Sequence, residues 1–330
     1  MDILIINAEQ VRQLLPMAAC VDVMADVLAA LGRGEAQNPL RTMSWLADKS
    51  GLLVTMPSVM ADAMGVKVIS VMPGNHGTEY DSHMGVVLLF ETKHGQPLAL
   101  MDASEITAIR TAAVSGVATR LLAQENASDL AILGTGVQAD SHLEAMLAVR
   151  PVQRVRVWSR HAENRERFAA RASAQYGVTV EPVDSAQAAV TGADIICTTT
   201  SSNEPVLKGE WLSPGAHLNV VGASVRTARE VDTEAMKRSQ LFVDRRESTL
   251  NEAGDFLLAR DEGAIGDDHI RAELGEVLLG QHRGRTSPDE ITLFKSLGLA
   301  VEDLASAQYI YQQAVAQGIG TAVPFGAKRV

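Results

Sequence analysis

Three cations stand inside apolar patterns in the first third of the chain. Lys67 lies within Gly65-Val-Lys-Val-Ile-Ser70, Arg110 within Ile106-Thr-Ala-Ile-Arg-Thr-Ala-Ala113, and Arg41 directly after Pro39-Leu40. A cation placed among aliphatic neighbours is costly unless a carboxylate meets it, either from the protein or from a ligand. Each one alone is compatible with an internal ion pair; three together ahead of a cofactor motif point to a pocket for an anionic substrate. Ser82, His83, Glu252 and Asp255 are further polar groups within reach of such chemistry, His83 fitting a structural loop histidine better than an acid catalyst. Cys20 and Cys197 sit in apolar surroundings and read as core, with neither disulfide nor zinc spacing. No Ser/His/Asp order and no metal-ligand cluster stands out, so no metal is expected.

The second chemical feature is Ala131-Ile-Leu-Gly134-Thr-Gly136-Val-Gln-Ala139, a G-x-G-x-x-A that follows a predicted strand and opens a predicted helix. Gly134 permits the tight turn, Gly136 lets backbone N–H groups approach a pyrophosphate, and Ala139 keeps helix and strand close. With strand, helix and a full βαβ unit in place, the motif predicts a bound dinucleotide. At the end of the next strand an NAD enzyme commonly carries an acid for the ribose 2′-hydroxyl. This chain has Trp158-Ser159-Arg160-His161, with no acid before Glu163. Arg160 and Ser159 suit a 2′-phosphate, which favours NADPH and leaves NADH open.

The elements that must carry these groups follow from periodicity. Residues 7–33 repeat apolar positions at three and four, with Asn7 and Gln10 as a capping box and Pro16 dividing the segment into two helices. Short aliphatic strands are predicted at 52–56, 66–71, 86–90 and 98–101, the last two joined as an antiparallel hairpin by 91–95. Between the second and third lies a polar loop, 72–83, longer in polar side chains (His76 to Asp81) than a purely apolar cyclic substrate requires. A helix over 103–122 then leads into strict alternation: strands at 130–133, 154–158, 178–182, 194–198 and 217–221, with helices at 137–149, 162–175 and 186–190. That rhythm implies a parallel sheet with helices on both faces. A strand at 241–243 follows, then helices at 247–259, 269–279 and 302–317, the last one free to return to the first domain.

The whole is an α/β protein of 330 residues, large enough for two domains. Forty acidic against 29 basic side chains give a formal charge of −11, which argues against duplex nucleic acid or an anionic membrane surface as partner. The longest apolar run, 84–90, is far below the roughly 18 residues of a membrane span. Asp2 stands where a secretory signal carries Lys or Arg, so a cytoplasmic protein is expected.

Taken jointly, several motifs resemble the ornithine cyclodeaminase/mu-crystallin family over nearly the whole chain, nearest to its ketimine reductase branch. They are Gly65-Val-Lys67-Val, Ser82-His83, Ile109-Arg110-Thr111-Ala-Ala, the Gly134–Ala139 loop, Gly209-Glu-Trp211 and Pro214-Gly-Ala-His217. Val221-Gly222-Ala223-Ser224, Ala272-Glu-Leu-Gly275-Glu276 and Phe294-Lys295-Ser296-Leu-Gly298 complete the set. The resemblance implies a homodimer whose subunit has a discontinuous α+β substrate and dimerisation domain, residues 1–122 with 303–330. Into it is inserted a doubly wound Rossmann domain, residues 123–302. It further implies that Arg41, Lys67 and Arg110 hold the substrate. Thr111, Gly134, Thr135, Gly136, Val137, Gln138, Ser159, Arg160, Thr198, Thr199, Thr200, Val221, Gly222 and Ala223 would line NADP.

One position departs from part of the family. Ornithine cyclodeaminases and the related alanine dehydrogenases carry Asp where this chain has Ser224, and a serine is no comparable base at neutral pH. That favours reduction of a preformed 2-imino acid over cyclodeamination, with Ser224 or Ser82 assisting through water. The expected substrates are cyclic ketimines, delta-1-pyrroline-2-carboxylate or delta-1-piperideine-2-carboxylate. Alternatives are an acyclic imino acid such as iminosuccinate, ornithine cyclodeamination, and a non-catalytic NADPH-dependent binding protein.

Overall fold

The computed structural model describes residues 2–75 and 77–326. His76 of the polar loop, and Met1 and 327–330 of the expected first domain, lie outside the described residues. The chain divides into two compact units, Met1–Arg110 with Leu299–Val330, and Thr111–Gly298. In chain order the elements are β1 (Asp2–Ile6), α1 (Ala8–Leu14), α2 (Met17–Gly32), β2 (Thr42–Trp45), β3 (Leu52–Val59), β4 (Met64–Val71), β5 (His83–Phe90), β6 (Pro97–Asp102) and α3 (Ala103–Leu122). There follow β7 (Asp129–Leu133), α4 (Val137–Val149), β8 (Arg154–Trp158), α5 (Ala162–Tyr176), β9 (Val180–Pro182), α6 (Ala186–Val190), β10 (Ile195–Thr198) and β11 (His217–Val220). The chain continues through α7 (Thr233–Arg238), β12 (Ser239–Val243), α8 (Arg246–Glu252), α9 (Gly254–Asp261), β13 (Ile270–Glu273), α10 (Leu274–Leu278) and β14 (Ile291–Lys295) to α11 (Ala300–Gln317) and β15 (Thr321–Pro324).

The first unit is built on a mixed seven-stranded sheet, ordered β15-β1-β6-β5-β4-β3-β2. Strict period-two burial sorts its residues. Leu52, Val54 and Met56 of β3 and Ile69 of β4 form a core with Ala300 at the start of α11. Lys67 pairs in register with Met56 and Val87, so it shares that helix-covered face. The opposite face carries Leu53, Val59 and Met84, all exposed, with Val66, Val68, Val86 and Leu88 half-buried. The capping box forms as expected, Asn7 Oδ1 accepting from the Gln10 N–H at 2.9 Å and Gln10 Oε1 from the Asn7 N–H at 3.0 Å. Pro16 caps α2 and separates it from α1.

The second unit is an eight-stranded parallel sheet, ordered β13-β12-β14-β11-β10-β7-β8-β9. From β7 the chain builds outward through β8 and β9, then returns to add β10 and β11 on the other side. The strand order therefore reverses between β7 and β10, the crevice where doubly wound sheets bind ligands. The α/β architecture with a parallel doubly wound sheet is as expected. Several elements differ from the periodicity: residues 270–273 form strand β13 ahead of a short helix rather than one helix over 269–279, the helix expected over 247–259 is divided at Ala253 into α8 and α9, and α7 and β14 carry no separate sequence signal. Cys20 and Cys197 are free and buried, and burial pushes both thiols up to about 12. Among the described residues no single helix is long and apolar enough to cross a membrane.

Candidate active site

Each unit carries one chemically distinctive constellation. In the first, the face of the sheet covered by α11 holds Lys67, and α3 carries Arg110 into the same cluster. Both are almost wholly buried, at 3% and 4% exposure. Lys67 Nζ pairs with Asp303 Oδ2 at 2.7 Å and donates to Thr107 Oγ1 at 3.3 Å. Arg110 donates from Nε to Asp303 Oδ1 at 2.8 Å and from Nη1 to Glu302 Oε2 at 2.9 Å. Asp303 thus bridges the two cations. Arg41 is half-buried and lies within electrostatic reach of Lys67.

Neither Glu302 nor Asp303 stands out in the sequence as a functional residue. Their signal is faint: two adjacent acids opening an apolar helix, on the side that carries Leu304 and Ala307. The first turn of a helix favours negative charge, and the ends of the cluster are tied down locally. Glu302 Oε2 also accepts from the Leu299 N–H at 3.1 Å, and Asn38 Oδ1 accepts from the Val301 N–H at 3.0 Å.

The electrostatics follow from burial. Desolvation lowers the Lys67 pKa to about 8; Asp303 pulls it back up, while Arg110 and Arg41 push it further down. For Asp303 burial acts upward, but Arg110 and Lys67 outweigh it and hold the carboxyl below its ordinary value, hence ionised. The result is an ammonium with a labile proton beside a guanidinium, both held by fixed carboxylates. His83 opens β5 on the same sheet face as Lys67, its Nδ1 2.9 Å from Ser82 Oγ. Burial and the Lys67 charge keep its pKa low.

In the second unit the Gly-rich turn sits at the carboxyl end of β7. Gly134 has φ +126°, and a side chain there would collide with Thr199, the built Cβ falling 2.6 Å from Oγ1 and 2.8 Å from the carbonyl oxygen. Only glycine fits. Gly136 caps α4, and a Cβ there would meet nothing within 4 Å. The approach to the amino end of α4 is open, and a helix terminus there turns N–H groups toward it, a cradle of the shape and polarity a pyrophosphate needs. The residues present therefore fit a dinucleotide.

Of the other expected cofactor residues, Thr111 lies buried in α3, and the rest gather at the same end of the sheet, at the carboxyl ends of β8, β10 and β11. Ser159 Oγ donates to the His161 carbonyl at 3.1 Å, and Arg160 is exposed beside it. The Thr199 N–H donates to the Leu133 carbonyl at 2.8 Å, joining the turn after β10 to β7. Thr198 is fully buried, its hydroxyl donating to Glu230 Oε2 at 2.8 Å, so it supports that turn from behind. Ser224 is half-buried just beyond Val221, Gly222 and Ala223. Glu252 closes α8, and Asp255 is fully buried in a pair with Lys295 at 2.9 Å. Among the described residues no group of His, Cys, Asp and Glu is arranged to hold a metal ion.

Comparison with known proteins adds an independent line. The sequence model of the ornithine cyclodeaminase/mu-crystallin family matches residues 1–318. Ketimine reductase mu-crystallin of Mus musculus is 45% identical over 280 residues, covering 84% of this chain and 85% of that protein. Delta(1)-pyrroline-2-carboxylate reductase of Bacillus cereus is 37% identical over 325 residues, 98% of this chain and 100% of its own length. Among solved structures, Thermococcus litoralis Delta(1)-pyrroline-2-carboxylate reductase in complex with NADH and L-proline superposes with a TM-score of 0.95 at 39% identity, covering 97% of this chain and 100% of that one.

Proposed function

The chain belongs to the ornithine cyclodeaminase/mu-crystallin family, and from that membership we propose that it is an NAD(P)H-dependent imine reductase acting on a 2-imino acid. The observation that carries this reading is Lys67: a buried ammonium with a pKa near 8, oriented by Asp303 and set beside Arg110. A 2-imino acid presents a carboxylate and a C=N nitrogen, and reduction needs one proton and one hydride. Arg41 and Arg110 supply positive charge for the carboxylate. Lys67 holds or passes the proton at the imine nitrogen, and Ser224 assists through water.

A reduced nicotinamide cofactor would be held by the Gly134–Gln138 turn, Thr199, Thr200 and Val221–Ala223, with the buried Thr198 behind them, and would supply the hydride. Thr111 completes that set. The protein's remaining task is to orient the imine and exclude water, because a protonated C=N is already a good hydride acceptor. Serine at 224 supports reduction over cyclodeamination, since no carboxylate stands there to activate water. The cyclic ketimines delta-1-pyrroline-2-carboxylate and delta-1-piperideine-2-carboxylate are the substrates this reading favours. One of the relatives is named a ketimine reductase and another a Delta(1)-pyrroline-2-carboxylate reductase. Ser159 and Arg160 support NADPH as the preferred cofactor, with NADH also used. The subunit pairs with a second copy through the sheet face of the first unit that bears Leu53, Val66, Val68, Met84 and Val86, an aliphatic face with Leu53 and Met84 exposed.

The test is loss of reduced-nicotinamide absorbance against a panel of the two cyclic ketimines and iminosuccinate, run with NADPH and with NADH. Fastest turnover is expected on a cyclic ketimine with NADPH. Tight NADPH binding with no turnover on any imine marks a binding protein instead, and ammonia release from ornithine marks a cyclodeaminase.

A further inference from the structure

The turn after β10 and the turn after β11 are joined by one side chain. Glu230 has 0% exposure, and its carboxylate accepts four hydrogen bonds. Oε1 accepts from the Thr200 N–H at 2.6 Å and the Thr200 hydroxyl at 2.7 Å. Oε2 accepts from the Thr198 hydroxyl at 2.8 Å and the Gly222 N–H at 2.5 Å. Both oxygens are therefore saturated, and the donors come from two separate crossovers of the sheet. Gly222 leaves no slack: a Cβ there would fall 2.0 Å from the Thr200 carbonyl oxygen and 2.7 Å from the Glu230 carboxylate.

Glu230 is in turn fixed from behind. Asp255 Oδ1 accepts from the Glu230 N–H at 2.7 Å and the Val231 N–H at 3.1 Å. Lys295 pairs with Asp255 Oδ2 at 2.9 Å and donates to the Val220 carbonyl at 3.3 Å, at the end of β11. A buried carboxylate with every lone-pair direction used is a rigid fixture, because losing any donor leaves a charge unsolvated in the interior. Nothing in its sequence context, Ala228-Arg-Glu-Val231, marks Glu230 as functional.

We propose that Glu230 is a positioning residue: its carboxylate clasps the turns 198–200 and 221–223 into the single surface that receives the nicotinamide half of the cofactor. This rests on the reading of the chain as a nicotinamide-dependent reductase. The pyrophosphate turn at Gly134 and the Ser159-Arg160 pair lie on other crossovers and do not touch Glu230. The clasp therefore bears directly on the nicotinamide half of the dinucleotide and reaches the Gly134 turn only through Thr199, whose N–H donates to the Leu133 carbonyl.

That asymmetry is the test. In Glu230→Gln one oxygen becomes an NH2 group, which opposes a backbone N–H and forces the neighbouring threonine hydroxyl to turn from donor to acceptor. The expected result is a Kd for NADPH raised about tenfold, within the usual range of coupling between non-contacting groups. The Kd for adenosine 2′,5′-bisphosphate, which lacks the nicotinamide, stays at the wild-type value. Thr198→Val, nearly isosteric and altered only where the hydroxyl meets Glu230, shifts the NADPH value in the same direction by less and covers the case in which Glu230→Gln does not fold. Equal NADPH affinity in wild type and in the folded variants overturns the clasp. So does an equal weakening of both ligands, the mark of general loosening of the unit. A wild-type chain that binds no NADPH or NADH overturns the reductase reading and the clasp together, which separates the two failures.

Discussion

On the proposed role, Lys67 sets the acid–base behaviour of the site. An ammonium that donates a proton is competent only while charged, so a pKa near 8 makes kcat/KM for imine reduction level below that pH and falling above it. Asp303 is the carboxylate that holds the proton on. Asp303→Asn removes that attraction while Arg110 and Arg41 stay in place, so the falling limb moves to lower pH. The same change strips a buried ion pair of its shared acid and destabilises the fold by about 3–5 kcal/mol. The folded-state pKa of Lys67 lies below its ordinary 10.5, so the unfolded chain binds more protons between about 8 and 10.5, and this group's contribution to stability rises with pH across that window. A pH profile that is unmoved in Asp303→Asn, or retained in Lys67→Met, contradicts the role given to Lys67. At this scale the cations were legible and their partners were not. Lys67 and Arg110 interrupt aliphatic runs, whereas Glu302 and Asp303 look like ordinary acids at a helix start.

Elements with a strong period are those the sequence reveals. Helix α3 runs over the expected 103–122, and the strands from β7 to β11 fall within two residues of their predicted spans. The exceptions have physical reasons. Arg271, Ala272 and Glu273 are good helix formers, yet 270–273 extend because they pair in parallel with β12, and pairing overrides propensity. Strand β14 is a five-residue run, too short to distinguish by period, and is identified only by its place between β11 and β12. The edge strands β2 and β15 are four residues each and exposed throughout, so neither carries a burial pattern. The sheet of the first unit makes the prediction proper to this scale. On the proposed pairing through the face bearing Leu53, Val66, Val68, Met84 and Val86, light scattering is expected to give twice the 35.2 kDa subunit mass, and Val68→Lys with Val86→Lys to return it to one subunit. A single-subunit mass for the unmodified chain contradicts the proposed pairing.

For the whole molecule, a net charge of −11 argues against duplex nucleic acid or an anionic membrane as partner yet says nothing of where positive charge is concentrated. The first unit answers that by sequence separation: Lys67 and Arg110 meet Glu302 and Asp303 only because the chain returns after Gly298 to place α11 on its opening sheet. A discontinuous unit of this kind leaves no local mark, since α3 runs unbroken through Arg110 and Thr111 where the division falls. Nor does the sequence show Glu230, which acts by joining two turns distant from it in the chain. The central claim is that a hydride passes to the carbon of a 2-imino acid while the chain manages the proton. The direct measurement is mass spectrometry of the product formed from delta-1-pyrroline-2-carboxylate and NADPH carrying deuterium at the transferring position of the nicotinamide. The account predicts proline bearing one deuterium at the α-carbon, formed by the wild-type chain and lost or strongly slowed in Lys67→Met. Unlabelled proline, or no proline while NADPH stays bound and unoxidised, would contradict it.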